Sequence, residues 1–190
     1  MRRFLAIAVS LFLIISCGNN EEVYNPKPKG YMRLNIPETK NVLYSSNCPF
    51  EFEYPDFFKI EEVQDKSQKC WFNLTMPALN GKIHFTYSDL NNNLGRFIED
   101  SRRYAYKHSA KAQYINERTF ANPNNKAYGI MYEIGGNAAS SCQFFVTDST
   151  KHFLRGALYF NTVPNADSIK PINDYVLNAI QHLIETTRWK

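Results

Sequence analysis

Residues 142–160, CQFFVTDSTKHFLRGALYF, hold two apolar runs around one polar turn. Cys142–Thr147 and Phe153–Phe160 are rich in aromatic and branched residues, which suit a pleated, half-buried surface. Asp148-Ser149-Thr150-Lys151-His152 between them supplies turn chemistry, since aspartate and serine side chains bond their own backbone. The stretch therefore reads as an antiparallel hairpin, with Gly156 expected to mark a bulge. Upstream, Lys82–Tyr87 alternates cleanly: Ile83, Phe85 and Tyr87 on one face, Lys82, His84 and Thr86 on the other. Met32–Ile36, Phe50–Tyr54, Cys70–Met76, Tyr114–Phe120 and Ala127–Ile134 read as further strands.

Two stretches have helical period. After Asn91-Asn92-Asn93, residues Leu94, Phe97, Ile98, Ser101, Tyr104, Ala105 and His108 share one face. Near the C-terminus, Ser168 is the expected cap, with Pro171 in the first turn. Ile172, Val176, Ala179, Ile180, Leu183 and Thr187 form the stripe that follows, and Trp189 lies just past it. Strands, a helix, more strands and a closing helix make an α+β fold, an antiparallel sheet packed by helices. Phe52-Glu53-Tyr54-Pro55 ahead of the strands resembles the start of the PsbP-like α/β/α sandwich. That likeness implies architecture and no activity.

The N-terminus belongs to another system. Arg2 and Arg3 precede an apolar run, Phe4–Ile15, of about a dozen residues, short of the roughly 20 that span a bilayer. Leu13-Ile14-Ile15-Ser16-Cys17 ends it in the manner of a bacterial lipobox, a small residue before a cysteine. Residues 1–16 are then a signal peptide. Cys17 is the lipidation site, carrying diacylglycerol and an N-acyl chain such as palmitate. A chance cysteine in an ordinary cleaved signal, or in an uncleaved anchor, would leave the same letters. Residues 17–30 form a tether with Pro26 and Pro28, and Pro-rich chain extends about 3.1 Å per residue. Residues 31–190 make one α+β domain. Gly18 rather than aspartate after the cysteine favours an outer-membrane location, facing the periplasm.

Composition excludes several classes. With 44% hydrophobic, 15% aromatic and 21% charged residues, the chain can bury a core and is neither disordered nor a multi-span membrane protein. Its net charge of +4, part of it from Arg2 and Arg3, is too small for a nucleic-acid binder. Three cysteines remain after Cys17, and an exported domain permits a disulfide. Cys48 and Cys70 open neighbouring strands and are the expected pair; Cys142 lies mid-strand as a free thiol.

Several segments together resemble the gliding-motility lipoprotein GldD family of Bacteroidetes. They include Pro26–Tyr31, Cys48–Pro55, Ile98–Arg102, Tyr132–Ser141, Thr147–Phe160 and Asn165–Ser168. The resemblance spans nearly the whole mature chain. It implies a cell-envelope lipoprotein needed for gliding and for the associated type IX secretion machinery, with other envelope proteins of that machinery as partners. It brings no catalytic motif.

Candidate contact residues follow from the oddest stretches. Gly135-Gly136-Asn137-Ala138-Ala139-Ser140-Ser141 joins two strands with small residues only. It is either a tight connection needing positive φ at the glycines, an anion-binding nest, or a point of close approach for a partner. Asp148, Lys151 and His152 on the hairpin tip gather types that hydrolases use, yet a triad converges from separate segments. Asp148-Ser149-Thr150 and Asp167-Ser168-Ile169 also resemble the O-glycosylation sequon of this phylum. His84, His108, His152 and His182 have no metal-ligand spacing. Adjacent rings such as Phe144–Phe145 and Trp71–Phe72 point to opposite sides of a strand, so one of each faces a second layer or a partner. The expectation is a contact protein, not an enzyme, without cofactor or metal. The alternative is a periplasmic small-molecule or glycan-binding module.

Overall fold

The computed structural model describes residues 39–63 and 69–190. The expected signal peptide, lipidation site Cys17, tether and strand Met32–Ile36 all lie outside the described residues. The strands are β1 (Asn41–Ser45), β2 (Phe50–Pro55), β3 (Lys59–Glu62), β4 (Phe72–Met76) and β5 (Gly81–Asp89). After α1 (Leu94–Tyr106) come β6 (Ala112–Asn122), β7 (Ala127–Gly136), β8 (Ser140–Thr147) and β9 (His152–Phe160). Helix α2 (Ala166–Thr186) and the short β10 (Arg188–Trp189) close the chain.

Seven strands form one antiparallel sheet in the order β3-β4-β5-β9-β8-β7-β6, and β1-β2-β10 form a small second sheet. The hairpin β8–β9 lies near the centre, with Thr147 opposite Phe153. Alternation decides which way each side chain goes. Ile83, Phe85 and Tyr87 point to one face and are buried, while His84 is exposed on the other. Phe144 and Phe145 split in the same way: Phe144 enters the main core and Phe145 packs with α1. Both rings are buried, so neither is offered to a partner. Trp71 is half-buried and donates its indole N–H to the Tyr87 carbonyl.

The fold is α+β, with one departure from the α/β/α layering expected. The inner face of the large sheet is covered by α2 and by the small sheet together. Phe52, Tyr44, Phe72 and Phe85 stack there in that order with ring centroids 4.7–4.9 Å apart along the series. Val176, Ile180, Leu183 and Ile184 of α2 complete that core. On the outer face α1 covers Tyr132, Ile134, Phe145 and Phe153.

Other local expectations are corrected. Helix α2 is capped by Asn165, whose side chain accepts the Ser168 N–H at 3.2 Å. Ser168 thus donates to the cap as the third helical residue, and Pro171 stands inside the helix rather than in its first turn. Tyr104, expected on the buried face of α1, is 38% exposed. Gly156 marks no bulge: it pairs in register with Phe85 and Phe144, and the Phe144 ring occupies the place of the missing Cβ. The register shifts fall at Ser140/Cys142 and Ala112/Tyr114 instead.

Cys48 and Cys70 are joined by a disulfide with Cα atoms 5.7 Å apart. It ties the loop before β2 to the loop before β4, and so the small sheet to the large one. Cys142 is a buried free thiol, pushed up in pKa by burial and by the nearby Glu133 carboxylate.

Candidate functional site

The hairpin tip is built around one carboxylate. Asp148 Oδ1 accepts the backbone N–H groups of Thr150, Lys151 and His152 at 2.8–3.0 Å, and Oδ2 accepts the Thr150 hydroxyl at 2.9 Å. Thr147 donates its hydroxyl to the His152 carbonyl and accepts the Ser149 N–H. Ser149 sits at φ 67°, the left-handed region a turn demands here. Asp148 therefore meets the backbone of His152, not its ring. Burial alone would raise the Asp148 pKa, but the N–H donors outweigh it and hold the carboxyl below its usual value.

This makes a pH-dependent prediction. A carboxyl whose folded pKa is depressed stabilises the fold above the unfolded pKa, and the gain is lost as pH falls through the folded value. Asp148→Ala is expected to cost about 1–3 kcal/mol at pH 7, because three backbone donors lose their acceptor. The difference from wild type should shrink below about pH 4. Urea unfolding at pH 7 and at pH 3 measures it; an equal difference at both would remove the ionised carboxylate from the account.

His152 joins a cluster that its own segment does not foretell. Its Nδ1 lies 2.7 Å from the Tyr87 hydroxyl, and that hydroxyl donates to Asp89 at 2.6 Å. A phenol has one proton, so the ring nitrogen is the donor to Tyr87. The His152 ring stacks on Trp189 at 5.2 Å and 14°. Burial pushes the Tyr87 pKa up, and Asp89 adds to it. The relay contains no activated nucleophile: its proton is held between a phenol and a carboxylate. Beside it lies an open groove of about 470 Å³ rimmed by Lys126, Lys151, Arg188 and Lys190. Arg188 pairs with Glu51, and Lys190 donates to Ser45 and Ser46. Trp189, Tyr87 and Asp89 escape a linear reading, because β5 meets β9 only through pairing in the large sheet and β10 reaches His152 from the small sheet packed against it.

The small-residue stretch lies at the other end of β8, about 24 Å along the strand from the hairpin tip. Gly135 and Gly136 end β7, and Ser140 and Ser141 begin β8. Only Gly136, at φ 91°, adopts the left-handed region. Gly135 is present for another reason: the Tyr114 ring lies where its Cβ would be. Asn137 Oδ1 accepts the Ala166 N–H at 2.9 Å and so fixes the loop to the start of α2. Asn137 and Ala139 are exposed, Ala138 is half-buried against the α1 cluster, and Ser140 is buried with its hydroxyl donating to Cys142 O. The two candidate regions thus do not converge on one centre.

The four histidines are dispersed. His84 bonds Asn73, His182 pairs with Glu53 and His108 sits near Arg155. Among the described residues no three His, Cys, Asp or Glu side chains group to hold a metal. Among them also, no helix is long and apolar enough to cross a membrane. A family model described as gliding motility lipoprotein GldD matches residues 21–189. No curated protein shows significant similarity to the chain.

Proposed function

Because the chain belongs to the gliding motility lipoprotein GldD family, we propose that it serves gliding, and the type IX secretion associated with it, by contact with other envelope proteins rather than by catalysis. Membership implies a role in gliding motility and a lipid-anchored place in the cell envelope. The finer reading places the anchor at Cys17, in the outer membrane, with the domain facing the periplasm. One observation carries the contact reading: Asp148 bonds its own turn and His152 bonds Tyr87 and stacks on Trp189, while the loop that exposes Asn137 and Ala139 is fastened to the start of α2 by the Asn137–Ala166 hydrogen bond. A preformed, rigid, small-residue surface lets a partner approach closely at little entropic cost.

Substitutions that add bulk should then hurt more than those that remove polar atoms. Ala139→Trp is expected to stop gliding while the protein accumulates and melts as wild type, since Ala139 is exposed. Ser149→Ala and His152→Ala are expected to leave gliding nearly intact. Colony spreading together with protein level and melting temperature reads the result. A stable, correctly placed His152→Ala protein without gliding, matched by Tyr87→Phe, would overturn the contact reading in favour of chemistry at that relay.

A further inference from the structure

The large sheet ends in two unlike edges. β3 is four residues long and carries Lys59, Glu61 and Glu62. That is how edges are normally made unattractive to other strands: short and charged. β6 is the opposite. It is eleven residues long and without proline or lysine, and its one irregularity, at Ala112/Tyr114, leaves 114–122 in regular register with β7. Its two charges do not guard the edge. Glu117 is drawn to one face by Arg102 and Tyr106. Arg118 is drawn to the other, where it donates to Gln181 of α2 and to Met131 Sδ. Among the described residues nothing pairs with the outer side of β6.

Beneath that edge runs a cleft. Helix α2 lies along β6 in the same direction, tied by Arg118–Gln181 and by Asn122 to the Glu185 carbonyl. Three hollows of about 180, 200 and 200 Å³ open between them. The first lies by Tyr114 and Asp167, the second by Arg118 and Asp174, the third by Phe120 and Ile184. Residues 114, 118 and 120 share one face of the strand, so side chains of a strand added to β6 would fall beside them on alternate positions. The lining is acidic: Glu133, Asp167, Asp174 and Glu185 against Arg118 and Lys170, with Lys170 paired to Asp174 at 2.6 Å and Gln181 donating to Glu185. The chain as a whole is basic, at +4.

We infer that β6 is a docking edge that receives an extended segment of a partner protein as an eighth strand, with a basic side chain toward Glu133 and an apolar one toward Phe120 and Ile184. Main-chain hydrogen bonds supply affinity in this mode, and the alternate hollows supply selectivity. The inference rests on the contact reading above and adds to it the chemistry of one partner.

The test uses the detergent-solubilised full chain and three synthetic decapeptides. The first alternates threonine and valine, with lysine in place of the central valine. The second has glutamate at that position. The third is the first with every second backbone nitrogen methylated. The first is expected to bind and to slow amide exchange across 114–122. The second should bind at least tenfold more weakly, the third not at all, and Glu133→Gln should cut the preference for lysine over glutamate at least threefold. Equal binding of the methylated peptide, or no binding of any to millimolar concentration, overturns the proposal. So does protection, without peptide, of the outward-pointing β6 amides that do not bond β7: with dimer formation it assigns the edge to a second copy, and in a monomer to another segment of this chain. If the peptides fail while Ala139→Trp still stops gliding, strand addition alone falls and the contact reading stands.

Discussion

Gly129→Val is expected to leave almost no folded protein. Gly129 sits in β7 between Phe120 of β6 and Val146 of β8. A Cβ at this position would run into the Phe145 carbonyl oxygen and the Phe120 ring. The ring can rotate at a cost, but the carbonyl is part of the sheet backbone and cannot yield without opening the ladder. Overpacking costs about 1–3 kcal/mol, and each lost ladder hydrogen bond about 1 kcal/mol more. Two branched methyls add to the first term. A total above about 4 kcal/mol is a large share of the 5–15 kcal/mol typical of a domain. Gly95 is the internal control. It lies in α1 with open space around it, and Gly95→Ala should stabilise by up to about 1 kcal/mol through helix propensity. Folded yield and urea unfolding of the two variants decide the matter. A Gly129→Val protein that unfolds within a few tenths molar of the wild-type urea midpoint would show that the strand can shift, and the steric argument would fail.

Gly129 is one of three sheet glycines explained in this way. Phe120 lies over Gly129, Tyr114 over Gly135 and Phe144 over Gly156. Each ring belongs to the residue directly across the ladder. Cross-strand pairing of this sort is invisible along the chain, since partners such as 114 and 135 are far apart and the register is unknown. The glycines themselves stood out, but the physical reason for them did not. Gly135 reads as part of a tight connection with positive φ, an anion nest or a point of close approach, and Gly156 as a bulge, where both are paired strand positions roofed by a ring.

The same limit explains what else was legible. β5 follows from alternation, because half-burial on one face writes a period of two into the residues; the hairpin β8–β9, covered on both faces, shows instead as two continuous apolar runs around a polar turn. The stripe of α2 follows from its period of 3.6. β1, β3 and β10 left little trace. Asn41–Ser45 is largely exposed, Lys59–Glu62 is polar, and Arg188–Trp189 is too short for any period to show. These strands exist because of their neighbours: β2 recruits β1 and β10, and β4 recruits β3. At the candidate site, Asp148 was readable because its work is local, within four residues. The Tyr87–His152–Trp189 cluster was not, because three strands from separate parts of the chain assemble it.

Cys17→Ser is expected to abolish anchoring completely. The family is one of lipoproteins, and the match begins at residue 21, just beyond this cysteine. The described domain, by contrast, contains no helix able to cross a bilayer. On the proposed reading the attachment comes from Cys17, and its chemistry is all-or-none. Serine has no thiol to alkylate, and the thioether-linked diacylglycerol is the feature that the processing enzymes require. One acyl chain holds a protein only marginally at a membrane, whereas two or more hold it stably. No intermediate degree of anchoring is therefore expected. Labelling with a radioactive or clickable fatty acid should vanish. The protein should appear either in the soluble fraction or as an unprocessed precursor still bearing residues 1–16. Gliding should fall to the level of the gene deletion, since a contact surface released from the membrane loses the effective concentration that tethering provides. The domain itself should melt as in wild type, since its two buried core clusters are drawn from described residues between Phe50 and Ile184. That combination, an intact fold with lost motility, separates anchoring from folding. A Cys17→Ser protein that still incorporates label and sediments with membranes would place the lipid elsewhere and end the lipobox reading.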